Sequence, residues 1–109
     1  MAIGSPKVRG PRKPVSAGSV VQIKTLIKHP MESGLRKDSS GNPIPEHYIK
    51  TVKAVYDGNT VMTADWTAGV SANPFYAFYV KATKTGDVVV TWEDSKGQSF
   101  TGKATLKIA

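Results

Sequence analysis

The 109-residue chain has no cysteine. That excludes a disulfide framework, a thiolate metal site and a cysteine nucleophile, and leaves the compartment open. Leucine is scarce as well, at three residues against eighteen Val and Ile and ten Thr. Such a β-branched excess favours pleated strands over helices. No stretch approaches the roughly 18 apolar residues of a membrane helix, so no membrane span is expected. The opening Met1-Ala2-Ile3-Gly4-Ser5-Pro6-Lys7 lacks the apolar segment of a signal peptide, so the chain is not expected to export itself.

Fifteen basic and eight acidic residues give a net charge of +7, which attracts something anionic: nucleic acid, lipid head groups or an acidic protein. Lys7, Arg9, Arg12 and Lys13 sit in a leader broken by Pro6, Pro11 and Pro14, and the other cations are scattered along strands. No nucleic-acid-binding signature accompanies the charge, so a solvated surface is the expected role and nucleic acid is not an expected partner.

Residues 1–14 read as a basic, Pro-containing leader in which Lys7 to Arg9 supply a short edge strand, and 15–109 as a single domain. From Ser19 to Lys28 the inward set Val21, Ile23, Thr25, Ile27 alternates with Gln22, Lys24 and Lys28, which is the pattern of a half-buried strand. A long polar loop from Pro30 to Pro45 follows; loops of this length are usually functional or mobile. Tyr48 to Tyr56 and Thr60 to Trp66 form a hairpin about Asp57-Gly58-Asn59. Further strands run from Asn73-Pro74 through Ala82, from Val88 to Trp92, and through Phe100, Gly102, Ala104, Leu106 and Ile108. About seven short antiparallel strands predict an all-β, immunoglobulin-like sandwich without its disulfide.

One strand is apolar on both sides. Phe75, Ala77 and Tyr79 point one way, and Tyr76, Phe78 and Val80 the other, whereas a two-layer sandwich covers only one face. Either a loop or solvent meets the second face, or another chain buries it, and Phe75, Tyr76, Phe78 and Tyr79 are therefore candidate interface residues.

Catalytic signals are thin. Ser33, Ser39 and Ser40 lack a nucleophile elbow. The acids Glu32, Asp38 and Glu46 lie in the loop, and Glu93-Asp94 at a turn, where carboxylates ordinarily solvate the surface or fix the turn. Gly97-Gln98-Ser99-Phe100-Thr101-Gly102-Lys103-Ala104 imitates a phosphate-binding loop, but Ala104 replaces the magnesium-binding hydroxyl and the segment reads as strand. His29 and His47, the two histidines, could hold copper together with Met31, although scattered histidines in a basic protein are expected at the surface. The chain thus reads as a binding or assembly module, with no catalytic residue, cofactor or metal expected.

The run His29-Pro30-Met31-Glu32-Ser33-Gly34-Leu35-Arg36-Lys37-Asp38-Ser39-Ser40-Gly41-Asn42-Pro43-Ile44-Pro45 resembles the SoxZ family, subunits of the SoxYZ sulfur-carrier complex of bacterial thiosulfate oxidation. The likeness extends through Gly18 to Ile27, Asn73-Pro74-Phe75, Gly86-Asp87 and Trp92-Glu93-Asp94-Ser95-Lys96-Gly97. It implies a non-catalytic sandwich that pairs with SoxY, whose cysteine carries the sulfur, and that meets other Sox enzymes through the complex. Without SoxY, self-association is expected. The resemblance also implies residence in the periplasm after export with a signal-bearing SoxY. His29, Met31, Glu32, Arg36, Lys37 and Asp38 are candidate recognition residues on the loop. An independent periplasmic ligand- or copper-binding sandwich is the competing reading.

Overall fold

A computed structural model describes residues 3–109, so the first two residues of the expected leader lie outside the described residues. Seven strands follow in order: β1 Gly4–Arg9, β2 Val20–Lys28, β3 Ile49–Tyr56, β4 Asn59–Asp65, β5 Phe75–Lys81, β6 Gly86–Asp94 and β7 Ser99–Leu106. They form a three-stranded sheet, β1-β2-β5, and a four-stranded sheet, β4-β3-β6-β7. All strand pairings are antiparallel, and no helix occurs among the described residues. The sandwich is all-β and immunoglobulin-like, with helix-disfavouring Val, Ile and Thr filling its strands.

Alternation, interrupted in β3 by a register shift between Ile49 and Thr51, decides which side chains meet between the sheets. Val21, Ile23, Thr25 and Ile27 of β2 point inward with Val8 of β1 and Phe78 and Val80 of β5. They face Ile49, Val52, Ala54 and Tyr56 of β3, Val88, Val90 and Trp92 of β6, and Leu106 of β7. Each fully buried aliphatic side chain stabilises the fold by about 1.5–3 kcal/mol. The indole Nε1 of Trp92 is buried there without a hydrogen-bond partner among the described residues.

Backbone geometry accounts for Gly58 and Gly102. Asp57 and Gly58 both have positive φ, 55° and 74°, the twist of a tight hairpin turn between β3 and β4. At Gly102, where β7 passes β1, an added Cβ would come within 3.0 Å of Val8 Cγ2. Gly102 and Lys103 lie in the middle of β7, so the phosphate-loop likeness is a strand, as the alternation requires.

Three sequence expectations change. β1 starts at Gly4 rather than Lys7, with an irregular register between Gly4 and Lys7 that accommodates Pro6. The segment 30–46 is an arm rather than an irregular loop: Glu32 and His47 exchange both backbone hydrogen bonds, Ile44 N–H reaches Arg36 O, and Asp38 N–H reaches Asn42 O. Finally, His29 and His47 are buried rather than at the surface, and Met31 is buried beside them.

Candidate functional site

Two features stand out: a buried polar cluster at the root of the arm, and the outer face of the three-stranded sheet.

The cluster joins three parts of the chain. His29 continues the inward parity of β2, Asp94 ends the inward set of β6, and His47 closes the arm just before β3. His29 Nε2 lies 3.1 Å from Asp94 Oδ2, and His47 Nε2 lies 2.7 Å from the same oxygen and 3.0 Å from Gln98 Oε1. The other Asp94 oxygen, Oδ1, accepts the backbone N–H groups of Lys96 and Gln98 at 3.0 and 2.9 Å. One carboxylate therefore fixes the β6–β7 turn and bridges two imidazoles whose rings stand 4.4 Å apart, edge to face.

The proton on His29 can be assigned from geometry. Met31 N–H donates to His29 Nδ1 at 3.2 Å, so Nδ1 is an acceptor and the proton of the neutral ring sits on Nε2, facing Asp94. Burial is the largest influence on His29 and pushes its pKa down; the hydrogen bond to Asp94 opposes this, and His47 adds to the lowering. Burial alone would raise the Asp94 carboxyl, yet the hydrogen bonds from His29, Gln98, His47 and Lys96 outweigh it and hold it below its ordinary value.

The same geometry tests the copper reading. His29 Nε2, His47 Nε2 and Asp94 Oδ2 do converge, all within 4.8 Å of one another. Met31 Sδ is not part of the set, since it accepts Ile49 N–H at 3.4 Å. A neutral His29 bound to a cation through Nε2 would carry its proton on Nδ1, directly against the Met31 N–H. The donor set does not fit a metal ion without breaking that bond. The cluster is a satisfied hydrogen-bond network that locks the arm to both sheets.

The candidate recognition residues divide accordingly. His29 and Met31 face the interior and cannot meet a partner. Glu32 pairs with Arg36 through Arg36 Nε at 3.0 Å and through Nη2, while Lys37 and Asp38 stand exposed farther out on the arm.

Register with β2 sorts the doubly apolar strand. Phe78 lies opposite Ile23 and points into the core; Phe75 and Tyr79 lie opposite Leu26 and Gln22 and point out. Tyr76 is partly buried, edge to face with Trp66 at 5.7 Å and stacked near Phe78. Phe75 and Tyr79 are 62% and 67% exposed on a strand paired along one edge alone. Sequence patterning left the outward pair open because both faces are aromatic; the missing information is the long-range β2–β5 register.

The residues 8–105 match the family model described as "Sulphur oxidation protein SoxZ". No curated protein matches the chain. Among solved structures, the superoxide reductase (neelaredoxin) of Ignicoccus hospitalis is similar at 15% identity with a TM-score of 0.70, covering 98% of this chain and 82% of that one. The sulfur carrier protein SoxY of Chlorobium limicola f thiosulfatophilum is similar at 14% identity and a TM-score of 0.66, covering 95% and 75%. A variant superoxide reductase (neelaredoxin) of Archaeoglobus fulgidus in its reduced form gives 23% and 0.61, covering 97% and 90%. At these identities the likeness is one of fold.

Proposed function

The chain belongs to the SoxZ family of sulphur oxidation proteins, and from that premise we propose that it is the non-catalytic subunit of a sulfur-carrier heterodimer, paired with SoxY. In this reading SoxY carries the covalently bound sulfur on its cysteine, and the present chain supplies a rigid sandwich that holds and presents SoxY to the other enzymes of thiosulfate oxidation.

The observation that carries the pairing is the outward Phe75 and Tyr79 on edge strand β5. Large aromatic side chains in water on a strand with an unpaired edge are an association surface. The chemistry agrees with a non-catalytic role. Sulfur transfer needs a thiolate, the chain has no cysteine, and the buried His29, His47 and Asp94 are hydrogen-bonded to one another and to backbone. Arg36, Lys37 and Asp38 on the arm are the residues proposed to meet the enzymes that load and unload the carrier.

Residence in the periplasm, reached together with a signal-bearing SoxY, completes the proposal. Expressing the chain with and without SoxY and fractionating the cells tests both parts: the two proteins should co-purify one to one, and the chain should reach the periplasm with SoxY and stay in the cytoplasm without it. A monomer that never associates with SoxY overturns the pairing.

A further inference from the structure

Residues 30–46 leave the sandwich at Pro30, directly after the fully buried His29. The backbone of His29 is fixed: its N–H donates to Asn73 Oδ1 at 3.1 Å, and its carbonyl accepts Asn73 N–H at 2.8 Å. Its ring fastens what comes next. Nδ1 accepts Met31 N–H, and the buried Met31 Sδ accepts Ile49 N–H at 3.4 Å, which seats the start of the arm against β3. Glu32 and His47 then close the root with their two backbone hydrogen bonds.

Met31 holds this position under strain. Its φ of 51° lies in the left-handed region, which a residue with a long side chain keeps only where surrounding contacts over-determine it. The bond to His29 Nδ1 is one of those contacts, and it exists only while the ring is neutral. A second proton on His29 goes to Nδ1 and sets a donor against the Met31 N–H.

The surroundings do not compensate for that proton. Among the described residues, the titratable groups that bear on His29 are His47 at the end of the arm and Asp94 on β6. Asn73 and Phe100, which also lie against it, carry no charge. Burial opposes the imidazolium most, and the His47 ring 4.4 Å away adds to it; Asp94 favours the imidazolium without outweighing them.

We propose that His29 is an acid-sensitive latch for the arm: when the ring takes up its second proton, Met31 loses its acceptor, the strained turn relaxes and the root of residues 30–46 opens from the sandwich while the two sheets stay packed. The hinge is Pro30, because Asn73 keeps the His29 backbone in place. The latch does not depend on what the arm binds. Its consequence, that recognition through Arg36 and Lys37 weakens in acid, rests on the role proposed above for those residues.

Amide hydrogen exchange of the full chain, followed by NMR from about pH 7.5 down to about pH 5, tests the latch without a partner. Protection factors divide out the intrinsic pH dependence of exchange. The amides of Met31, Glu32 and His47 should be less protected than those of Val52 and Val90 at every pH and insensitive to low urea, as a local opening requires. Their opening should increase by up to about tenfold per pH unit below the ordinary histidine pKa of 6.5. His29→Gln, whose amide can accept from Met31 and donate to Asp94 but does not titrate, should abolish that increase; His47→Gln should keep it. If His29→Gln does not fold, wild type and His47→Gln carry the test. Root amides that exchange only together with Val52 and Val90, a root opening that ignores pH, an increase that persists in His29→Gln, or one lost in His47→Gln each overturn the latch and leave the pairing with SoxY untouched.

Discussion

Met31 donates its backbone N–H to His29 Nδ1 at 3.2 Å, and this one bond fixes the tautomer of a fully buried histidine. With its proton on Nε2, His29 reaches Asp94 at the end of β6 and ties the root of the arm to the four-stranded sheet. Removing the imidazole leaves the Met31 N–H without that acceptor and takes one of the hydrogen bonds that hold the buried Asp94 carboxylate. His29→Ala is therefore expected to lower unfolding stability by about 2–4 kcal/mol, read as a lower urea midpoint with an unchanged slope. A loss within experimental error would mean that the cluster does not hold the arm.

The lowered pKa of His29 sets a pH dependence. A base whose pKa is lower in the folded protein than its ordinary 6.5 contributes stability that is complete above pH 6.5 and is lost as pH falls from there through the folded value. Asp94, held below its ordinary 3.8, contributes stability present above 3.8 and lost as pH falls further. The melting temperature should start to fall below pH 6.5, with a second loss below pH 3.8. His29→Gln should lower stability at neutral pH yet remove the first decline. An unchanged first decline in that variant would assign it to another group.

On the arm, Arg36 and Lys37 are exposed, and the Arg36–Glu32 ion pair is open to solvent on its Arg36 side, with Glu32 half-buried. Exposed pairs contribute little to stability. Arg36→Ala with Lys37→Ala should leave the melting temperature nearly unchanged while weakening association with SoxY or with the enzymes that act on the carrier. A matching loss of stability and association would make the arm a structural element alone.

The two faces of β5 should separate folding from binding. Phe78→Ser removes a core aromatic and should cost about 3–5 kcal/mol of stability. Phe75→Ser with Tyr79→Ser should leave the fold intact and cost about 2 kcal/mol or more of SoxY binding. Equal binding by wild type and the Phe75/Tyr79 variant would move the interface elsewhere.

The strands were legible because period-2 alternation survives in β2, β6 and β7, and the hairpin because Asp57-Gly58 announces its turn. The cluster carried a signal of the same kind. His29 follows Val21, Ile23, Thr25 and Ile27 on the inward parity, and Asp94 follows Val88, Val90 and Trp92. Extending each alternation by one step places both inside the sandwich. Their meeting spans 65 residues and depends on two sheets packing, which local patterning does not encode. The outward choice of Phe75 and Tyr79 depends likewise on the β2–β5 register.

The most direct measurement is native and intact mass spectrometry of the chain co-expressed with SoxY, before and after incubation with thiosulfate and the sulfur-loading Sox enzymes. The account predicts a one-to-one heterodimer in which the added sulfur mass appears on SoxY and the cysteine-free chain keeps its sequence mass. A sulfur adduct on this chain, or its persistence as a separate species beside SoxY, would contradict it.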